Sequence, residues 1–218
     1  MNRSLIKISG EAISGVEGKF DFEAISTICQ NIKNVASEGI GVSLVVGGGN
    51  IIRGRDFKNS VNFSRKTADA AGMLATVING IILRDSLRLN GLESEIVSTL
   101  RIPFGIKHND SFTIADLINK NRIIIFCGGV GLPYFSTDTI SIVAAFMSNC
   151  NMILKATKAD GIYDKDPNIY KDAKRIPELT YQEAIDRDLK IMDKTAFALA
   201  EQKRLPIHIL CKRTELFP

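Results

Sequence analysis

The apolar run Ile123–Cys127 (IIIFC) stops abruptly at Gly128, Gly129 and Gly131, and the hydroxyls of Ser136 and Thr137 and the carboxylate of Asp138 follow. A short, β-branched apolar run reads as a strand buried on both faces. Glycines directly after it let the backbone approach something closely. A Ser/Thr/Asp cluster before a new apolar periodicity reads as a helix start. Strand, glycine loop and helix N-terminus in that order present free N–H groups and a partial positive charge, which suits a phosphate. Ile6–Glu11 (IKISGE) and Leu44–Asn50 (LVVGGGN) have a similar form. Repeated junctions of this kind suggest more than one phosphorylated ligand.

Strands and helices alternate along the chain. Ser4–Ser9, Val42–Val46, Glu95–Ser98, Arg122–Cys127, Met152–Ala156 and Ile207–Leu210 read as strands. Asp21 caps a helix with Phe22, Ile25, Ile28, Ile32 and Val35 on its apolar face and Gly39 as its stop. Thr67–Leu89 reads as a long helix, apolar around much of its circumference through Met73, Leu74, Val77, Ile78, Ile81 and Ile82. Such a helix is expected in the core or against another subunit. Further helices are predicted over Ser111–Asn119, Asp138–Asn149, from a Thr180/Glu183 capping box to Arg187, and over Asp193–Lys203. There is no linker, repeat or low-complexity segment. The pattern predicts an α/β fold with a mostly parallel sheet covered by helices on both faces. Ligands in such folds bind at the carboxyl ends of the strands, where the glycine loops fall.

Composition narrows the function. Lys and Arg exceed Asp and Glu by 28 to 24, a net charge of +4, too mild to imply a nucleic acid polymer. With 7% aromatic residues and no Trp, a base-stacking platform is not expected. Cys29, Cys127, Cys150 and Cys211 have neither metal-ligand nor CxxC spacing, so a reduced, cytoplasmic setting is the default. The N-terminus reaches Lys7 and Gly10 without an apolar signal core. The longest apolar stretches read as too short to span a bilayer, so no membrane partner is expected. The P-loop pattern, the dinucleotide fingerprint, the nucleophile elbow and HExxH are absent. His108 and His208 are isolated, and no protein metal site is predicted.

Three segments can carry chemistry. Lys7 lies two residues before Ser9-Gly10 and can reach a phosphoryl group held by the adjacent amides, or simply extend to solvent from a strand end. Gly47-Gly48-Gly49-Asn50 would weaken a fold unless backbone must approach something, and Arg53 follows it as a possible phosphate clamp. Leu154–Pro167 carries Lys155, Lys158, Asp160, Asp164 and Asp166 around Tyr163. Its Asp-Gly and Asp-Pro pairs read as a solvated, turn-rich loop. The alternative is a nucleotide pocket with Tyr163 against the base.

Taken together, Lys7–Glu11 (KISGE), Gly47–Asn50 with Arg53, Asp69–Thr76 (DAAGMLAT), Gly131–Asp138 (GLPYFSTD), Lys155–Gly161 (KATKADG) and the segment Leu189–Ile209 resemble the bacterial uridylate (UMP) kinases of the amino acid kinase superfamily. The resemblance runs in order over nearly the whole chain. It implies a three-layer sandwich, with a mostly parallel sheet between helices, as one amino acid kinase-like domain over residues 1–218. It implies phosphoryl transfer from ATP to UMP with Mg2+, and a homohexamer built from dimers. By position, Lys7, Ile8, Ser9, Gly10, Gly49, Arg53, Thr157, Tyr163 and Asp166 would bind ATP. Gly48, Asp69, Val130, Gly131, Leu132, Pro133, Tyr134, Phe135, Ser136 and Thr137 would bind UMP. Lys7, Asp138 and Asp193 would be catalytic, with Asp138 orienting the lysine. The family pattern has Thr at the position of Val130 and Asn at that of Leu132. It also continues past the last strand with a helix and a closing strand, where this chain ends at Glu215–Pro218. A sibling phosphotransferase acting on a carboxylate or carbamate, and a non-catalytic nucleotide-binding protein, are the competing readings.

Overall fold

The structure, a computed structural model, describes residues 2–15, 20–52, 64–157, 161–165, 167, 169–189 and 191–211. The elements in chain order are β1 (Arg3–Ile8), α1 (Phe22–Ser37), β2 (Gly41–Val46), α2 (Arg65–Leu89), β3 (Ser94–Ser98), β4 (Lys107–His108), α3 (Ser111–Asn119), β5 (Ile123–Cys127), α4 (Thr137–Met147), β6 (Met152–Thr157), β7 (Ile162–Tyr163), β8 (Arg175–Ile176), α5 (Tyr181–Asp186), α6 (Lys194–Gln202) and β9 (Ile207–Cys211). A short 3-10 turn, Gly10–Ile13, follows β1.

Seven strands form one sheet in the order β4-β3-β5-β2-β1-β6-β9, and every neighbouring pair is parallel. Parallel strands need crossover helices, and those helices cover both faces. That is why β1, β2 and β5 are buried from end to end. Alternation along a strand then sorts side chains between two cores. Ile6 and Ile8 join Leu44, Val46, Ile125 and the inner faces of α1 and α2. Leu5 joins Val45, Ile124, Phe126 and Ile153 beneath α3, α4 and α6. The layers are thus helices, sheet, helices. Lys7 has the parity of Leu5, so β1 aims it at the layer that contains α4.

The helix starts follow the sequence closely. Asp21 accepts from the Ala24 N–H at 2.9 Å, and Thr180 with Glu183 closes a reciprocal capping box before α5. Other features go beyond what the sequence shows. The two-residue strand β4 and the antiparallel pair β7–β8 are too short to carry a readable period. The apolar ring of α2 is also only partly covered. Val77, Leu83 and Leu87 are buried, while Leu74 is 52% and Ile78 45% exposed. The helix lies on the sheet with one side against β2, β3, β5 and α1, which leaves its outer side bare. Finally, an 18-residue window of α2 has a mean hydropathy of 1.3, long and apolar enough by composition to cross a bilayer. This corrects the expectation that the apolar stretches are too short. Here the helix packs on the sheet and buries Thr76 and Asn79 against the loops beyond it.

Candidate active site

A cavity of about 320 Å3 opens at the carboxyl ends of β1, β2 and β5, walled on one side by α2. All three glycine-bearing junctions reach it: Ser9-Gly10, Gly47–Gly49 and Gly129 with the start of α4. A roomier cavity of about 650 Å3 lies between residues 175–181 and β9. It holds neither Lys7 nor the glycine junctions after β1, β2 and β5, all of which line the first cavity.

The loops close on one another by backbone contact. A Cβ on Gly10 would stand 2.6 Å from Asn50 Oδ1 and 2.7 Å from the Gly49 nitrogen, so any other residue would push the β1 and β2 loops apart. Gly128 has φ +80°, and a Cβ there would meet the hydroxyls of Ser98 and Thr99 at 2.7 and 2.8 Å. Only glycine combines that conformation with that proximity. Helix α2 fastens the loops from behind. Asn79, with no exposed surface, donates to Gly47 O at 2.6 Å and to Asn50 Oδ1 at 2.7 Å. The Thr76 hydroxyl accepts from the Gly128 N–H at 2.8 Å. The Asp69 carboxylate accepts from the Tyr134 N–H at 2.7 Å and pairs with Arg65 at 3.0 Å. Tyr134 itself has φ +74°, and the Arg65 guanidinium lies over its ring.

The charged centre sits on the α4 side of the sheet. Lys7 Nζ lies 2.9 Å from Asp138 Oδ1. Lys155 Nζ lies 3.0 Å from the same oxygen and also donates to Ile191 O. Asp138 stands in the first turn of α4, capped by Ser136, whose hydroxyl accepts from the Asp138 N–H at 2.9 Å. Burial pushes the Asp138 carboxyl up, but the Lys7 and Lys155 ammonium groups outweigh it and the net shift is downward. Burial lowers the pKa of Lys155, the charge of Lys7 lowers it further, and the net shift is downward despite Asp138. Asp193 caps α6 by accepting from the Ala196 N–H at 2.8 Å. It also accepts from Ser136 and, at 3.0 Å, from Thr139, tying α6 to the start of α4. Cys127 is the thiol nearest the glycine loop, and burial raises its pKa to about 12, so it holds no thiolate for nucleophilic work.

The residues expected from the sequence fall into groups. Lys7, Ser9, Gly10, Gly48, Gly49, Asp69, Leu132, Phe135, Ser136 and Thr137 line the cavity. Asp138 joins them through Lys7. The Ile8 side chain points into the opposite core, leaving its backbone to the site. Val130 packs against the α4-side core, which accounts for an apolar residue there. Gly131, Pro133 and Tyr134 continue the same loop. Thr157 ends β6, and Tyr163, on β7, is not among the residues that line the cavity. Arg53 and Asp166 lie outside the described residues, as do Lys158 and Asp160. Sequence reasoning overlooked Asn79 and the bond from Lys155 to Asp138. Asn79 leaves a trace as a lone carboxamide inside an apolar helix. The Lys155 bond depends on β1 and β6 being neighbours, which no local pattern reports.

Glycine loops at strand ends, two ammonium groups and a bridging carboxylate define a site for handling phosphoryl groups without a covalent nucleophile. The comparisons agree in class. The model of the amino acid kinase family matches residues 2–211, and the chain belongs to that family. Within it, the chain is 41% identical over 217 residues to the uridylate kinase of Sulfurovum sp. (strain NBC37-1), covering 98% of this chain and 91% of that protein. It is similar to the crystal structure of UMP kinase from Ureaplasma parvum, with a TM-score of 0.93 and 31% identity, over 99% of this chain and 92% of that one. The Bacillus anthracis UMP kinase structure gives the same TM-score of 0.93 and identity of 31%, over 98% and 88%.

Proposed function

We propose that this chain is a UMP kinase, transferring the γ-phosphoryl group of ATP to UMP in pyrimidine nucleotide biosynthesis. The observation that carries the proposal is the Lys7–Asp138–Lys155 cluster beside three glycine loops, in a chain whose relatives are named uridylate kinases. An oxygen of the UMP phosphate forms the new bond to Pγ, the bond from Pγ to the β–γ bridging oxygen breaks, and ADP leaves with that electron pair. The attacking oxygen is already anionic, so no general base is needed. Charge builds on the equatorial oxygens in a loose transition state, and catalysis is positioning plus neutralisation. Lys7 and Lys155 supply the positive charge, and Asp138 holds both ammonium groups in place. Ser9, Gly10, Gly49, Arg53, Thr157, Tyr163 and Asp166 serve ATP, while Gly48, Asp69 and the 130–137 loop serve UMP. Asp193 acts as a positioning residue, through Ser136 and Thr139.

The described residues contain no cluster of three His, Cys, Asp or Glu side chains that could hold a metal ion. In this proposal Mg2+ would come with ATP and would supply positive charge to its phosphates, and no step is assigned to it. We further propose that residues 1–218 act as one domain, that the protein works in the cytoplasm, and that it forms a homohexamer built from dimers. The exposed Leu74 and Ile78 on α2 are the apolar surface that supports a subunit contact.

The test is a coupled ADP-release assay with ATP, Mg2+ and UMP, run beside CMP, dUMP, aspartate, N-acetylglutamate and carbamate. Selective turnover of UMP is expected, with Lys7→Ala folded and slower by orders of magnitude. Turnover on a carboxylate or carbamate alone would place the chain among the sibling phosphotransferases. Nucleotide binding with no turnover would reject catalysis.

A further inference from the structure

We infer that Asn79 is a positioning residue that sets the catalytic register of the β1 and β2 loops without touching substrate; the inference rests on the kinase reading above. Asn79 is in the middle of α2, fully buried, where a carboxamide costs helix propensity and desolvation unless all its polar groups are used. All are directed at one loop. Its amide donates to Gly47 O at 2.6 Å and to Asn50 Oδ1 at 2.7 Å, and its oxygen faces Asn50 Nδ2 at 3.2 Å. The two side chains thus form a reciprocal amide pair. Asn50 Oδ1 and the nitrogens of Gly49 and Asn50 are the atoms that a Cβ on Gly10 would strike. The contact chain therefore runs from helix to β2 loop to β1 loop, and Lys7 lies three residues before Gly10.

A hydrophobic residue of similar size would pack at position 79 and deprive Gly47 O of this donor, leaving the loop held from the β1 side, where the Gly47 N–H donates to Ile8 O at 2.8 Å. Small displacements matter at such a site, since loss of orientation of about 1 Å lowers rates by about 100-fold. The Gly48 and Gly49 amides are assigned to the two phosphate-bearing ligands. A shift of their loop changes how donors meet the transferring group more than it changes whether either nucleotide binds.

The experiment compares Asn79→Asp, Asn79→Ala, Asn50→Ala and the Asn79→Ala/Asn50→Ala double variant. The expected result is a fall in kcat of about tenfold or more with KM for UMP and ATP within about threefold. The double variant should be no worse than Asn79→Ala by more than about twofold, because both changes break one pair. In N79D the buried carboxylate faces two oxygens, so its pKa is raised. Its protonated form regains one donor, and its deficit in kcat should shrink as pH falls from 9 to 6. Hydrogen exchange of the Ile51 and Ile52 amides, which donate to Gly48 O, reads the loop without any turnover. Loss of that protection is expected in every variant. Lower thermal stability with unchanged kcat per folded molecule would make Asn79 merely structural and overturn the inference. So would unchanged amide protection. If Asn79 variants do not fold, Asn50→Ala carries the same two readouts from the solvent side. A wild-type protein that turns over no UMP would defeat the kinase reading, and the amide-protection arm would still decide the role of Asn79.

Discussion

Lys7 and Lys155 are direct register partners across the parallel pair β1–β6, and their ammonium groups share one oxygen of Asp138 at 2.9 and 3.0 Å. Like charges opposite each other on adjacent strands are destabilising. The sheet tolerates them because α4 starts immediately above with a carboxylate in its first turn. Asp138 thus bridges two ammonium groups beside the glycine loops, and the Asp193 carboxylate also acts on Lys155.

Asp138→Asn keeps the shape and removes the charge, leaving two ammonium groups facing each other in a mostly buried site. Breaking a buried ionic cluster this way costs on the order of 3 kcal/mol, and a misplaced lysine costs about 100-fold in rate. Urea unfolding and UMP-dependent turnover measure the two effects. The folded Asp138 carboxyl titrates below its ordinary value, so its stabilisation is present above the unfolded value near ~3.9 and is lost as pH falls through the folded one. The variant should show a flatter acid limb of stability than the wild type. Full turnover in Asp138→Asn would remove the carboxylate from the mechanism.

Lys155 makes a prediction at the other end of the pH scale. Its pKa is lowered by burial first and by Lys7 second. The folded protein therefore gives up this proton before an unfolded lysine would, near ~10.4. The cost of holding the charge is fully present below the folded value and is relieved as pH rises through it. Turnover should do the opposite, falling on an alkaline limb centred below ~10.4 if the charge is needed. Lys155→Arg keeps its charge throughout that range, so its residual activity should decline at higher pH than the wild type. Identical limbs in the two proteins would clear Lys155 of this role.

The sequence is most transparent where the physics is local. Asp21, Thr180 with Glu183, and Ser136 start helices where their side chains can reach the next turn's N–H groups. The apolar strands run through a sheet covered on both faces. Among the described residues, Ser9-Gly10, Gly48-Gly49, Asp69 and Phe135–Thr137 line one cavity, whereas Tyr163 is not part of its lining. The rest is set by tertiary neighbours. Nothing near Lys155 reports that β6 lies beside β1 rather than beside β5, so its bond to Asp138 is invisible until the strand order is known. Asn79 looks like a weak helix residue until the Gly47 carbonyl is placed against it. The hairpin β7–β8 pairs only Ile162 with Ile176 and Tyr163 with Arg175, too little to leave a period in the sequence.

The bare side of α2 bears on assembly. Leu74 and Ile78 are one helical turn apart and about half exposed, at 52% and 45%, whereas Val77 beside them is buried. Ile78→Glu should therefore leave the fold intact and weaken a subunit contact, since a carboxylate at an apolar interface loses its water. Light scattering should show a hexamer for the wild type and smaller species for the variant, with unchanged helical circular dichroism. A monomeric wild type at micromolar concentration would rule out the contact.

Thr76 provides a test of the third glycine loop that leaves the charges alone. Its hydroxyl donates to Met73 O at 2.7 Å and accepts from the Gly128 N–H at 2.8 Å, in a residue only 4% exposed. Thr76→Val preserves volume and β-branching but cannot accept, so a buried N–H loses its partner at a cost of about 1–3 kcal/mol. Thr76→Ser keeps the acceptor and gives up only a methyl group. Because Gly128 leads into the 130–137 loop assigned to UMP, Thr76→Val should raise KM for UMP several-fold and leave KM for ATP near the wild-type value. Thr76→Ser should resemble the wild type in both constants and lose less thermal stability. Equal effects from the two substitutions would mean that the methyl contact, and not the hydrogen bond to Gly128, is what Thr76 contributes. Parallel rises in both KM values would mean that the bond holds the sheet edge as a whole rather than the UMP side of the cavity.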